Sequence, residues 1–292
     1  MNNIAEGNMI KTILVPTDFT IESEELLSCV GELKSVGLEK VILLHVVDIF
    51  QAQGLAPMFE ENAKKRIEDY RQLMDEMGVD ASTLVVEGDV KKTIARIADE
   101  ENVDCIVMGA TTSGLIKSLR IGRTTEYISR RSGKIILIEK YNIITENEED
   151  ISRKACSAKF SKVMLPVDFS ENSKIILDEI KDFTDIIDEI VFVHVVEKAK
   201  NEKELHNKKN ESMKLLSELG KELEDVIKIK YAVTEGEASE SIDRLSEEMD
   251  VTLIAITTHG MGSFKDILLG STAENLLRRT KRPLLLIPVK DR

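Results

Sequence analysis

In this chain of 292 residues, the side chains best suited to chemistry sit in two kinds of place. In the C-terminal half, Thr257, Thr258, His259 and Gly260 are followed, after an apolar-basic stretch, by Gly270, Ser271 and Thr272 at the start of a predicted helix. A glycine and two hydroxyls at a helix N-terminus offer a phosphate backbone N–H groups, the positive end of the helix dipole and side-chain donors, so no lysine is required. Glycine also lets an anion approach the backbone without a Cβ in the way, and it reaches φ > 0 at no steric cost. The same residues also read as a turn glycine and a plain serine cap. Asp18 and Asp168 each follow an apolar run, and each precedes an aromatic and a hydroxyl residue. They read either as ligand-facing carboxylates or as helix caps.

Two common nucleotide signatures are excluded. The stretch from Gly109 to Gly114 has the outline of a P-loop but continues with Leu115 and Ile116, where lysine and a hydroxyl residue are needed. Gly260 and Gly262 begin like a dinucleotide fingerprint, yet Lys265 stands at the third glycine position, and the motif follows a fourth strand instead of a first. The four histidines, His45, His194, His206 and His259, form no HExxH or Cys/His cluster, so no metal centre made from side chains is expected. Cys29, Cys105 and Cys156 lie far apart without a CxxC pair and read as reduced, structural thiols.

Composition bounds the rest. Apolar residues make up 42% and charged residues 32%, a mixture that buries cores under a charged surface. The 53 acidic and 40 basic residues give a net charge of -13, which repels nucleic acid and anionic lipid over most of the surface. No apolar run approaches the roughly 18 to 20 residues of a membrane span, and Met1 to Met9 has no signal-peptide pattern. The cytoplasm is the expected compartment, with no nucleic-acid or membrane partner.

The elements that must position these residues occur twice. Ile13 to Thr20 matches Val163 to Ser170 at an offset of 150 (168 − 18). Leu44 to Val47 then matches Val193 to Val196, Glu87 and Gly88 match Glu235 and Gly236, and Gly122 matches Gly270. One unit has been duplicated. Within each unit, short β-branched runs alternate with segments of helical periodicity. Strands are predicted at about 11–16, 40–47, 82–87, 103–109 and 134–139, and again at 161–167, 189–196, 227–234, 251–257 and 283–289. Phe59, Ala63, Ile67, Tyr70, Met74 and Met77 form one apolar stripe and are expected in the core. Near-continuous apolar strands joined by helices imply a parallel sheet covered on both faces, a doubly wound α/β domain in each half. Ligands of such sheets bind beyond the carboxyl ends of the strands. The chain divides into a tail at 1–9, a domain at 10–140, a linker at 141–160 rich in Glu146, Glu148, Glu149 and Asp150, and a domain at 161–292.

At this point both halves resemble the universal stress protein family. The resemblance rests on the two PxDF openings followed by a hydroxyl residue, the two HVV segments, and the stretch from Thr258 to Ser271. It implies flavodoxin-like, adenine nucleotide alpha hydrolase-like domains, each with a five-stranded parallel sheet of order 3-2-1-4-5. ATP-binding members carry G-x2-G-x9-G-S/T after the fourth strand, and neither half keeps it intact. In the second half Thr257 replaces the first glycine, either straining a left-handed backbone or narrowing the pocket. There the resemblance implies a nucleotide site of Pro166, Asp168, Val195, Ile256, Thr257, His259, Gly260, Gly270, Ser271 and Thr272. The first half implies a degenerate counterpart of Pro16, Asp18, Val46, Met108, Gly109, Thr112, Gly122, Arg123 and Thr124, with Thr112 and Arg123 as the departures.

The cofactor expected from the resemblance is ATP or AMP, with Mg or Mn held by the phosphates. Three functions follow: a nucleotide-responsive regulatory module acting on an unknown protein partner, an interaction scaffold of the same family without nucleotide, and a slow ATPase. The last has no group set beyond Asp168 and His259 for hydrolysis, and neither residue is assigned a catalytic role. His45 and His194 read as satisfying local hydrogen bonds. The last strands, Lys134 to Glu139 and Pro283 to Val289, are sheet edges in this order, and they are expected to pair the halves within the chain as a pseudo-dimer. A homo-dimer of chains stays open as an alternative, without support in the sequence.

Overall fold

The computed structural model describes residues 10–52, 54–112, 122–142, 158–259 and 269–289. The first half runs β1 (Thr12–Pro16), α1 (Ile21–Val30), β2 (Lys40–Asp48), α2 (Ile49–Ala52), α3 (Ala56–Glu76), β3 (Asp80–Gly88), α4 (Val90–Glu100), β4 (Cys105–Thr112), α5 (Arg123–Arg131) and β5 (Ile135–Asn142). The second half repeats it as β6 (Lys162–Pro166), α6 (Asn172–Lys181), β7 (Glu189–Val196), α7 (Glu202–Gly220), β8 (Lys228–Glu235), α8 (Ala238–Glu248), β9 (Leu253–Thr257), α9 (Ser271–Arg279) and β10 (Leu284–Ile287).

The ten strands among the described residues join one sheet, ordered β3-β2-β1-β4-β5-β10-β9-β6-β7-β8. Each half therefore has the order 3-2-1-4-5, as the resemblance implied. Pairing within a half is parallel, and the two halves meet where β5 and β10 pair antiparallel, with Leu285 opposite Leu137. The expected pairing of the last strands is what the sheet does.

Strand alternation sends successive side chains to opposite faces. Ile13, Val15, Leu137, Val163, Leu165 and Leu285 join one buried cluster with α1, α3, α6 and α7. Leu14, Ile136, Ile138, Met164, Leu284 and Leu286 join the other with α4, α5, α8 and α9. Both clusters run through both halves, so the junction is core and not a hinge. An ion group fixes it further: Lys159, fully buried, pairs with Glu139 of β5 and with Glu32. Burial pushes the Glu32 carboxyl up to about 7 against the attraction of Lys159.

Two expectations are corrected. Ala63, Ile67, Tyr70 and Met74 are buried as the α3 stripe requires, but Phe59 is 42% exposed. It lies in the first turn of α3, which follows α2 closely. Cys29 is disulfide-bonded and not reduced. Cys105 is a free, buried thiol, and Cys156 lies outside the described residues. Spacing along the chain carries no signal of such a bond.

Candidate functional site

At the carboxyl end of the first strand of each half, the chain makes the same unusual turn. Phe19 and Phe169 have φ of 62° and 60°, a left-handed backbone costing a non-glycine residue about 1–2 kcal/mol. The surroundings hold each one there. Phe19 stacks on His45 with centroids 4.4 Å apart, and Phe169 lies 4.5 Å from His194. The Nδ1 of each imidazole meets the carbonyl two residues before the phenylalanine, His45 with Thr17 at 2.9 Å and His194 with Val167 at 2.7 Å. The aspartate, the phenylalanine and the distant histidine are thus one unit that aims the strand end. Burial pushes the His45 imidazole below its ordinary value, and the bond to Thr17 only partly offsets this.

Asp18 and Asp168 accept from the same positions. Asp18 Oδ1 takes the Thr20 N–H at 3.2 Å and the Ser23 hydroxyl at 2.7 Å. Asp168 Oδ1 takes the Ser170 N–H and the Ser173 hydroxyl, both at 3.0 Å. Burial raises the Asp18 pKa, but hydrogen bonds from Ser23 and Thr20 outweigh it and hold the carboxyl below the usual value. One oxygen of each aspartate therefore shapes the turn before the helix. Both aspartates also line a cavity.

At the other side of each cavity stands a helix N-terminus. Gly122 precedes α5 with φ -59°, and Gly270 precedes α9 with φ -66°, neither with a side-chain cap. Any residue adopts such a φ, so only close approach, not backbone freedom, gives glycine a role here. Thr257 is likewise absent from the positive-φ residues, and the left-handed alternative for it falls away. Its hydroxyl donates to the His259 carbonyl at 2.9 Å, and β9 ends at that point. In the first half Gly109 stands at the matching position, and β4 continues to Thr112.

The cavities differ in size. The first-half cavity has about 840 Å³ and the second-half one about 250 Å³. Ligand sites usually have about 300–1,000 Å³. Gly109 lines the first and Thr257 the second, so the smaller cavity carries the bulkier residue at this position.

Of the residues expected in the second-half site, Pro166, Asp168, Val195, Ile256, Thr257, Gly270, Ser271 and Thr272 line one cavity. His259 is not among the described lining. Its Nδ1 meets the Thr258 hydroxyl at 2.9 Å, and its carbonyl accepts from Asn172 at 3.1 Å, which ties down the turn. Gly260 lies outside the described residues. In the first half, Pro16, Asp18, Val46, Met108, Gly109, Gly122 and Thr124 line the cavity, whereas Arg123 is exposed and is not among its lining. The Thr112 side chain lies outside the described residues.

Some cavity residues carried no motif. Glu197 and Glu237 join Asp168 in the second cavity, with no cationic side chain among its described lining residues. In the first, Arg66 of α3 lies 4.6 Å from the Phe19 ring centroid and donates to the Phe19 carbonyl at 3.0 Å. Phe59 and Asn62 line the same wall. Their helical spacing from Arg66 puts all three on one face, a signal that the apolar stripe masked.

The chain matches the model of the universal stress protein family over residues 9–138 and 159–288. It is 30% identical over 155 residues to universal stress protein MJ0577 of Methanocaldococcus jannaschii, covering 45% of this chain and 96% of that protein. It is 32% identical over 122 residues to universal stress protein Sll1654 of Synechocystis sp., covering 38% of this chain and 76% of that protein. A solved universal stress protein from Archaeoglobus fulgidus superposes with a TM-score of 0.73 at 21% identity, covering 97% of this chain and 99% of that one. At that identity the superposition speaks for the fold alone.

Proposed function

The chain belongs to the universal stress protein family, with two family units in tandem, and from that premise we propose that it is an adenine-nucleotide-binding regulatory module whose polyphosphate end lies in the second half. The observation that carries this reading is the N-terminus of α9. Ser271 and Thr272 open there on the same cavity as Asp168, so donors for phosphate and an acceptor for a nucleoside share one space. Asp168, Glu197 and Glu237 place three carboxylates around it. An ATP held there suits a divalent cation such as Mg or Mn carried by its own phosphates. The donor set fits that group: Ser271 and Thr272 would hold phosphate, and Asp168 would face the nucleoside. At about 250 Å³ the cavity must widen to admit ATP.

The test is calorimetric titration of the whole chain with Mg-ATP and AMP, with Ser271→Ala and Asp168→Ala alongside. The reading expects binding that each substitution weakens. No heat at millimolar nucleotide, with an unchanged melting temperature, overturns it, since a ligand of the folded state must raise that temperature.

A second reading, an interaction scaffold that holds no nucleotide, is favoured by the narrowness of that same cavity and by its three carboxylates. Among the described residues no helix is long and apolar enough to cross a membrane, and the cytoplasm is the proposed compartment.

A further inference from the structure

The two halves are copies, which makes each the control for the other, and they differ in character where the second strand ends. After β7 the chain continues through Glu197, Lys198, Lys200, Glu202 and Lys203. After β2 the matching stretch is α2 and the first turn of α3, and it is apolar and uncovered: Ile49 is 49% exposed, Phe50 73%, Leu55 53%, Met58 51% and Phe59 42%. Only three other large apolar side chains among the described residues are comparably exposed, Met213, Leu215 and Val226, and all belong to the second half. The apolar lip is thus local to one place. It borders the larger cavity, because Phe59 belongs to both.

The floor of that cavity keeps the nucleoside-side residues of the second-half site, with Asp18 and Val46 in the places of Asp168 and Val195. The opposite end keeps Thr124 in the place of Thr272 but loses one phosphate donor: Arg123 stands where Ser271 would be and is not among the lining. Room, an unchanged floor, a lost phosphate hydroxyl and an apolar rim describe a different ligand of the same chemical kind. The lip follows β2 directly, beside Val46, on the side that the nucleotide reading gives to the nucleoside, whereas Gly122 and Thr124 lie at the N-terminus of α5.

We propose that the first-half cavity binds an adenine nucleoside whose base carries an apolar substituent, with the substituent resting on the lip of Phe50, Leu55, Met58 and Phe59. This rests on the reading that the strand-end floor takes an adenine nucleoside. Arg66 is its positioning residue: it holds Phe19 from above and closes the wall between the floor and Phe59.

The probe is N6-benzyladenosine, titrated into the whole chain beside adenosine and Mg-ATP. Burying a benzyl ring against the lip should make it at least about tenfold tighter than adenosine. Phe50→Glu and Met58→Glu, at exposed lip positions outside the cavity lining, should remove that advantage while leaving adenosine and Mg-ATP binding unchanged. Arg66→Ala should weaken both nucleosides, and Arg66→Lys should restore part of the loss. If N6-benzyladenosine binds no tighter than adenosine, or if its advantage survives both glutamate substitutions, the inference fails even where Mg-ATP binds. If no adenosine compound binds the chain, the inference falls together with the nucleotide reading. If N6-benzyladenosine binds and Mg-ATP does not, the inference stands and the second-half polyphosphate site is what fails.

Discussion

The guanidinium of Arg130 meets the carboxylate of Glu274 at 2.7 Å, across the junction between the two halves. The reciprocal contact closes a ring: Arg278 reaches Glu126 at 2.8 Å. Both positions are related by the same offset, 148 (274 − 126 and 278 − 130), so the pair has the self-complementary form of a two-fold interface inside one chain. The helices that carry it, α5 and α9, are the ones whose N-termini face the two cavities. Each candidate site is therefore built on a helix anchored to the other half.

The ring and the core beneath it should contribute very differently. Its four side chains are 29–44% exposed, so solvent screens them, and a double-mutant cycle of Arg130→Ala and Glu274→Ala should give a coupling of about 1 kcal/mol or less. Leu285→Ala, at a residue 1% exposed in the β5–β10 junction, should cost about 2–5 kcal/mol. With clusters continuous through both halves, urea unfolding should remain one transition in the parent chain; two separated transitions would contradict a shared core.

Thr257→Gly tests why the second cavity is small. Removing the side chain deletes the bond to the His259 carbonyl and restores the residue found at position 109. Expected are about a tenfold gain in Mg-ATP affinity by calorimetry and a loss of roughly 1 kcal/mol of stability from glycine in a strand. An unchanged affinity with a lowered stability would show that Thr257 does not limit the site.

Most of the architecture was legible because both faces of the sheet are buried. That leaves strands such as Ile13 to Val15 and Leu284 to Ile287 as unbroken apolar runs, and the duplication lets each half check the other. The junction was legible for a related reason: an apolar last strand at a sheet edge needs a partner. The exposure of Phe59 was not, because helical periodicity places a residue on a face but does not say whether another element covers that turn. Nor were the left-handed Phe19 and Phe169, since no local signal distinguishes a phenylalanine held by a distant histidine. For Thr257 the sequence offered two alternatives, and backbone geometry removes the left-handed one. The acidic lining from Glu197 and Glu237 comes from strand and helix ends brought together by the fold, with no spacing in the chain to announce it.

The cysteines offer a chemical count. Burial pushes the Cys105 thiol up to about 12, so the native protein should not react with a thiol reagent at neutral pH. With Cys29 in a disulfide, the denatured, unreduced chain should show fewer thiols than the three it shows after reduction. Reduction should also lower stability by about 2–4 kcal/mol. Three reactive thiols in denaturant without reductant would contradict the disulfide.

Lys140 gives the junction a pH dependence. Its ammonium is buried at the end of β5 and donates to the Leu277 carbonyl of α9 at 2.5 Å. Burial pushes its pKa down to about 7, against the weaker pull of Asp243. The unfolded chain keeps the ordinary lysine value of 10.5, so between about pH 7 and 10.5 the unfolded state holds a proton that the folded state has released. Stability from this group must therefore rise with pH across that window, and below it the full cost of the buried charge is felt. Burial likewise pushes the Asp243 carboxyl up from its ordinary value of 3.8, against a hydrogen bond from Thr280. Melting temperatures of the parent chain should climb by a few degrees from pH 7 to 9.5 relative to Lys140→Met, which has nothing to titrate there. Parallel curves for the two proteins would mean that Lys140 keeps its charge throughout and that water reaches it.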